Sequence, residues 1–372
     1  MGSVRLFLCG DVMTGRGIDQ VLPHPLPPRI YEPYIRNSID YLRLAESVNG
    51  NIPSPVDYSY IWGDALQLIK DPSIDFRLIN LETSITHNEN YWKNKGINYR
   101  MNPENTPCLT VAGITCCSLA NNHVLDWGYE GLEETLSVLD KAGISHTGAG
   151  CNLASAQEPA LFHIKNKEKR ILVFGVGSET SGIPFEWAAE KGRAGINMVF
   201  NLSEESADLL ANLIKEKKVS GDIVIISIHW GSNWGYEINP LYRQFAHTLI
   251  DKTGATVIHG HSSHHPRGVE IYNGSLILYG CGDFINDYEG ISGFDEFRSD
   301  LTFMYLVDIE ESGHLDSCRM IPFKIQKFRL NDVQEEDIKW LQRLYRNANH
   351  IEGTEVVLKE KGFLVQSVLK QG

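Results

Sequence analysis

The 372-residue chain predicts an α/β fold, read as one compact domain with insertions. Short apolar runs alternate with amphipathic stretches along its length. Most of those runs stop in residues able to ligate a metal: Gly10-Asp11, Asn80-Leu81-Glu82, Asn121-Asn122-His123, Ser227-Ile228-His229, His259-Gly260-His261, His264-His265 and Gly282-Asp283. Buried strands that end in polar residues deliver them to the carboxyl edge of a sheet, where α/β proteins place their sites. The chain shows no internal repeat, low-complexity tract or linker.

The elements follow in order. Val4 to Cys9 reads as the first strand. Residues 19–60 are rich in Pro, Tyr and Asn without sustained periodicity and read as a long ordered excursion. Tyr60 to Lys70 reads as a helix ended by Asp71-Pro72. Asp75 to Leu81 is a strand, residues 87–107 a second, aromatic and polar excursion near the site, and Ile114 to Leu119 a strand. Tyr129 to Ala142 is the clearest amphipathic helix, with Leu132, Thr135, Leu136 and Leu139 on one face and Gly143 as its stop. Arg170 to Gly175 is a strand. Ser203 caps a helix running to Lys218, with Glu204-Glu205 in its first turn. Strands at 222–229, 256–259 and 275–280 follow, the first two separated by a helix around Pro240 to Asp251. Leu301 to Ile309 and Met320 to Phe328 read as paired outer strands, and Glu335 to Asn347 as a late helix. Residues 1–330 thus form the main domain, and 331–372 a helical extension packed on it.

Composition narrows the function. The net charge of −13 disfavours nonspecific nucleic-acid binding, which depends on Lys and Arg meeting phosphates. An anionic ligand needs local cations to offset that charge. Seven cysteines without a Cys-x-x-Cys pair argue against a zinc ribbon and fit a reduced, cytoplasmic setting. No stretch has the length of a transmembrane helix. A Gly-x-Ser-x-Gly elbow, a phosphate-binding Gly-rich loop and a His-Glu-x-x-His helix are all absent from the sequence.

The polar strand ends carry the chemistry. Carboxylate, amide and imidazole together suit Mn, Zn or Fe, with Mg or Ca as harder alternatives. Asp11 reads as a first ligand or as a turn cap, and Glu82 as a bridging carboxylate or an ion-pairing Glu. In Asn121-Asn122-His123 a buried amide oxygen is a usable ligand, and the adjacent His can move a proton. His229 alone reads as a hydrogen-bonded core residue. Four imidazoles between 259 and 265 (His259, His261, His264, His265) shift the balance to metal binding. Asp283, Asp287 and Glu289 read as partners that orient ligand histidines or as solvated loop charges.

Taken in succession, Gly10-Asp11-Val12-Met13, Asn80-Leu81-Glu82, Ser118 to His123 with Asp126 and Gly128, Ile228-His229-Trp230-Gly231 and Gly260-His261-Ser262-Ser263-His264 resemble the poly-γ-glutamate capsule-biosynthesis (CapA/PgsA-like) family over residues 4 to about 310. That family is in turn similar to calcineurin-like metallophosphoesterases. The resemblance implies a four-layer α-β-β-α sandwich with one or two divalent metal ions at the strand ends. It also implies Asp11, Glu82, Asn122, His229, His261 and His264 as metal ligands and His123 as proton donor, positioned by Asp126, with Asp283 beside the ligands. Phosphoesterases usually carry Asp-x-His first; here the third residue is Met13, so one metal position is weakened.

Three readings follow. A metal-dependent hydrolase would act on a phosphoester or a γ-glutamyl or peptide bond. A metal-dependent peptide epimerase would remove an α-proton. A non-catalytic polymer-binding subunit of a poly-γ-glutamate synthase complex would have no need of the ligand cluster. Arg16, Arg100 and Arg267, with Lys93 and Lys95, are expected to line a cleft that takes a carboxylate-bearing small molecule or peptide. Trp230, with Trp92, Trp127 and Trp234, reads as a wall of that cleft or as a core residue.

Overall fold

Alternating strand residues point to opposite faces of a sheet, and in this chain both faces of two sheets are apolar. The computed structural model describes residues 3–368 except 166, 168 and 361. Its larger sheet runs in the order Thr354–Lys359, Gly362–Ser367, Leu315–Gln326, Leu301–Ile309, Val4–Val12, Phe76–Leu81, Cys116–Ser118 and Ser145–Thr147. The last four of these are parallel neighbours, and Leu301–Ile309 joins Val4–Val12 antiparallel. The second sheet runs Met198–Val199, Arg170–Ser178, Ile223–His229, Val257–His261, Ser275–Leu278 and Val269–Tyr272.

The layers follow from the alternation. Leu6, Leu8, Phe76 and Leu78 of the first sheet meet Ile171, Val173, Ile223, Ile225 and Val257 of the second in one inter-sheet core. Phe7, Cys9, Ile79 and Cys117 face outward under the helix Gly128–Lys141 and the first excursion. Leu172, Phe174, Val224, Ile226 and Ile258 face the helices Glu204–Lys217 and Pro240–Thr253. Helix, sheet, sheet and helix make the expected four-layer α-β-β-α sandwich. Among the described residues no helix is long and apolar enough to cross a membrane.

Several elements differ from expectation. Tyr60 to Lys70 is a 3-10 turn over Tyr60–Ala65 and a short α-helix over Leu66–Ile69, broken at Gly63 with φ 45°. A Cβ at Gly63 would lie 1.9 Å from the Leu330 carbonyl oxygen, so strand 329–332 sets the break. The first excursion hides a helix, Ile39–Asn49, of which only Tyr41 and Ala45 are buried. Leu301–Ile309 is buried along its whole length beside the first strand, not an outer strand. The tail is more than a helix: after Glu335–Arg346, Thr354–Lys359 and Gly362–Ser367 form a hairpin that extends the larger sheet.

Register brings the site together. Asp11 pairs with Asn80 on one side and Asp283 on the other, and His229 pairs with His261. The Asp11 amide donates to the Gly282 carbonyl at 3.0 Å, and a Cβ on the preceding Gly10 would sit 1.7 Å from that same oxygen. Only a bare backbone passes there. Gly10→Ala should lower stability by about 1–3 kcal/mol, the usual cost of overpacking, and a denaturant titration against the parent chain checks this.

Candidate functional site

The site lies where the carboxyl ends of both sheets meet. From the larger sheet, Val4–Val12 delivers Asp11, and Glu82 follows Phe76–Leu81. Asn80 joins the two carboxylates, its Nδ2 donating to Asp11 Oδ1 at 2.7 Å and to Glu82 Oε2 at 3.1 Å. The Ser262 amide donates to Asp11 Oδ2 at 3.2 Å. Asn121 donates to Asn80 Oδ1 and to the Leu81 carbonyl, and its own Oδ1 accepts from the His123 amide. The turn after Cys116–Ser118 is thereby locked with Asn122 and His123 facing the carboxylates.

The second sheet supplies imidazoles. His229 Nδ1 lies 2.8 Å from His261 Nδ1. Behind them Ser227 Oγ contacts both His261 Nε2 and His259 Nδ1 at 3.0 Å, and His259 Nε2 reaches the Cys9 carbonyl at 2.7 Å. On the other edge of its ring, His229 Nε2 lies 3.0 Å from Asn122 Oδ1 and 3.9 Å from Glu82 Oε1.

Burial sets the protonation states. It pushes the Asp11 carboxyl up to about 7, with the nearby Asp283 charge adding to the effect. Glu82 is pushed well above the usual range by burial and then by Asp11. Burial drives His229 and His261 well below the ordinary imidazole value, so both are neutral. Two carboxyls raised chiefly by burial, beside two neutral imidazoles, are a donor set that a positive charge would suit.

That set fits a divalent cation. Asp11, His229 and His261 offer ligand atoms all within 4.8 Å of one another. The Nδ1 atoms of the two neutral imidazoles lie 2.8 Å apart, close enough that both would reach one ion. Asn122, Glu82 and His123 adjoin this cluster. His264 stands one step back: its Nδ1 lies 2.9 Å from Asp283 Oδ1 and its Nε2 3.0 Å from Asn233 Nδ2. Ligation through His264 requires Asn233 to turn away. His265 faces elsewhere, packed on Tyr236 and Phe297.

His123 is positioned for proton transfer. Its Nδ1 lies 2.6 Å from Asp126 Oδ2, and its Nε2 faces Glu82 Oε1 at 3.7 Å. Lys95 Nζ meets Asp126 Oδ1 at 2.7 Å. Burial and then Lys95 push His123 down to about 4 against the pull of Asp126. Lys95 Nζ also lies 3.1 Å from the His123 Nδ1; the shorter contact, to the carboxylate, assigns the proton to Nδ1 and leaves the Nε2 lone pair toward the pocket. The pocket measures about 160 Å³ and is lined by Glu82, Lys95, Asn122, His123, His264 and Tyr288, among others.

The expected substrate-binding residues fare differently. Arg16 is buried and holds Asp287 through two hydrogen bonds, together with Glu32 and Tyr41. Its charge is already matched, so it ties the first excursion to the loop after Asp283. Trp230 is a core residue whose indole N–H donates to the Tyr279 carbonyl. Arg267 is buried and braces the Ser232 and Trp234 carbonyls. Arg100 is buried over Trp127, outside the pocket. Lys95, another cation of the second excursion, is the one that enters. Asn80, Ser227, Asn233 and Tyr288 carried no separate signal beyond their nearness to the motifs.

The profile of the family described as "Bacterial capsule synthesis protein PGA_cap" matches residues 5–288. A probable polyglutamine synthesis accessory protein of Mycobacterium tuberculosis is 45% identical over 364 residues, 97% of this chain and 95% of that protein. The PGA biosynthesis protein CapA of Bacillus subtilis is 27% identical over 267 residues, covering 71% of this chain and 65% of its own length. Among solved structures, a phosphatase from Mycoplasma pneumoniae superposes with a TM-score of 0.47 at 14% identity, covering 94% of this chain and 99% of that one.

The corrected place of Arg16 has a measurable consequence. Arg16→Met should destabilise the fold by about 3–5 kcal/mol, because it strands the buried Asp287 and Glu32 without their partner. A purely substrate-binding arginine would leave the denaturation midpoint unchanged.

Proposed function

This chain belongs to the bacterial capsule synthesis protein family PGA_cap, and from that premise we propose that it is a metal-dependent hydrolase acting on an amide bond of a γ-glutamyl or peptide chain. The observation that carries the proposal is the buried cluster of Asp11, His229 and His261 beside Glu82, Asn122 and a neutral His123. Asp11, Glu82, Asn122, His229 and His261 would hold one or two divalent ions, with His264 joining if Asn233 yields. Mn, Zn or Fe match these donors best. Such an ion, when bound, supplies Lewis acidity toward a carbonyl oxygen and toward water.

The chain's own residues favour an amide over a phosphoester. An amide needs a base to accept a proton from the attacking water and then an acid to give one to the leaving nitrogen. His123 can serve both turns from Nε2, while Asp126 holds its Nδ1 and stabilises the charge formed in between. A phosphate would bring two negative charges, yet among the pocket-lining residues the one Lys or Arg is Lys95, already paired with Asp126.

A second reading rests on the same neutral His123. A base with a free Nε2 can also take an α-proton from a peptide residue, which would make the chain an epimerase. Reaction in deuterated water separates the two: hydrolysis gives a free amine with unlabelled α-carbons, and epimerisation gives an intact chain carrying deuterium at one.

Three outcomes test the centre itself. Metal affinity should rise steeply with pH between about 6 and 8, because Asp11, raised to about 7, and Glu82 must release protons before they ligate. Titration of metal-free protein should show those protons, and His261→Ala should lose most of the bound metal. His123→Ala should keep the metal and lose about two to four orders of magnitude in turnover. Full activity in that metal-loaded variant would remove His123 from the mechanism.

A further inference from the structure

Away from the pocket, three cations stand on three mutually contacting aromatic rings. Tyr31 of the first excursion and Tyr91 of the second stack at 3.8 Å, and both lie against Trp127 at 6.2 and 6.4 Å. Arg29 lies over Tyr31 at 5.1 Å, Lys93 over Tyr91 at 3.6 Å and Arg100 over Trp127 at 3.8 Å. Among the described residues none of the three has a carboxylate within ion-pair distance, whereas most Arg and Lys near the site have one. Rings hold a cation in place without cancelling its charge. The chain carries −13 overall, so a local group of three unmatched cations is a built feature of the potential.

Arg100 is the sharpest part. It is 8% exposed, yet its one protein hydrogen bond runs from Nη1 to the Asn88 carbonyl at 2.7 Å. Asp19 lies near enough to favour its charge, but the Asp19 oxygens accept from the Asn102 and Leu26 amides and from Asn105. A guanidinium has five donors in a planar fork. The remaining donors of the fork are not stranded in the interior; they are open to the notch, where a ligand can reach them. Arg100 lines a notch with Arg29, Ser38, Asn98 and Trp127. Trp127 follows Asp126, the residue that holds His123, and Lys93 is two residues from Lys95, which enters the pocket. The aromatic surface and the proposed centre are thus built from the same two stretches of chain.

We propose that Arg29, Lys93 and Arg100 form a subsite for a chain that carries carboxylates on successive residues, with one carboxylate seated on the Arg100 fork. The proposal deepens the reading of the centre as acting on a γ-glutamyl or peptide chain, but the binding step does not depend on which reaction follows. The fork meets a carboxylate with two hydrogen bonds, and the two exposed cations hold its neighbours by charge. A single small dicarboxylate would engage one cation at a time and bind weakly.

The test is calorimetric binding to the full-length chain, using a γ-linked glutamate pentamer, glutarate and tripolyphosphate as probes. The pentamer should bind at least tenfold more tightly than glutarate, and the advantage should shrink as salt is raised. Arg29→Ala with Lys93→Ala, both at exposed positions that leave the core intact, should weaken pentamer binding about tenfold or more. Arg100→Gln should weaken it further, and Lys217→Ala should leave it unchanged. His261→Ala should abolish metal binding while pentamer affinity survives, which separates this subsite from the reading of the centre. Equal pentamer affinity in the Arg29/Lys93 double variant and the parent chain would overturn the proposal. So would tripolyphosphate binding as tightly as the pentamer, since that would mark a general anion patch.

Discussion

Two carboxyl groups, Asp11 and Glu82, are buried side by side and bridged by the amide of Asn80, and much of the site's arrangement answers to that fact. Like charges without water between them cannot both ionise unless a positive charge is added. The protein offers amide donors from Asn80 and Ser262, which orient the oxygens but do not neutralise them. The imidazoles opposite are neutral for the same reason of burial. What remains open is one cationic position, and its location is fixed by backbone register: Asp11 opposite Asn80 and Asp283, His229 opposite His261. The centre is thus a property of sheet pairing as much as of side chains.

The cap over this centre is held by apolar packing and by charge together. The first excursion buries Val21, Leu22, Ala45, Ile52 and Val56 in the core, and Arg16 anchors it. Sitting at φ 49°, it lies between the Tyr41 and Tyr99 rings and joins Glu32 to Asp287. The second excursion is fastened by the Tyr99 amide on Asp126 Oδ2 and by the Trp92 amide on the Asp126 carbonyl. Asp126 therefore serves two ends. It fixes the loop that carries Lys95, and it fixes the proton on His123. Movement of that loop would be felt at the imidazole.

The strands and long helices were legible because both sheets are buried on two faces, so their strands read as unbroken apolar runs such as Ile223–Ile226, and Ser203 and Gly143 mark helix ends. The centre was legible because its members sit at strand ends: Asp11, Glu82, Asn122, His123, His229 and His261 converge as their order implied. The cations were not. Arg16, Arg100 and Lys95 are alike as letters, and only tertiary pairing decides that Arg16 meets Asp287, that Arg100 lies on Trp127 and that Lys95 turns inward. Trp230 takes the core place rather than the cleft wall, a choice the sequence leaves open, since nearness to His229 says nothing about which face of the strand end it takes. The helix Ile39–Asn49 and the terminal hairpin were missed because their burial is shallow, and shallow burial leaves little periodicity to read.

Met13 gives the centre a direction. It is buried two residues after Asp11, and its sulfur contacts the Tyr288 hydroxyl at 3.7 Å. A thioether is a soft and weak donor that does not replace an imidazole for Mn, Zn or Mg. Nitrogen donors therefore gather on one side of Asp11, around His229 and His261, while the Met13 side offers only oxygen from Asp11 and a His264 already engaged by Asp283 and Asn233. Under the proposed reading, one cation position is strong and any second is weak. A centre with a single strong ion cannot clamp the attacking and leaving atoms symmetrically. The leaving atom must then depend on a protein group for its proton, and His123, neutral and open at Nε2 beside Glu82, is the group in place to provide it.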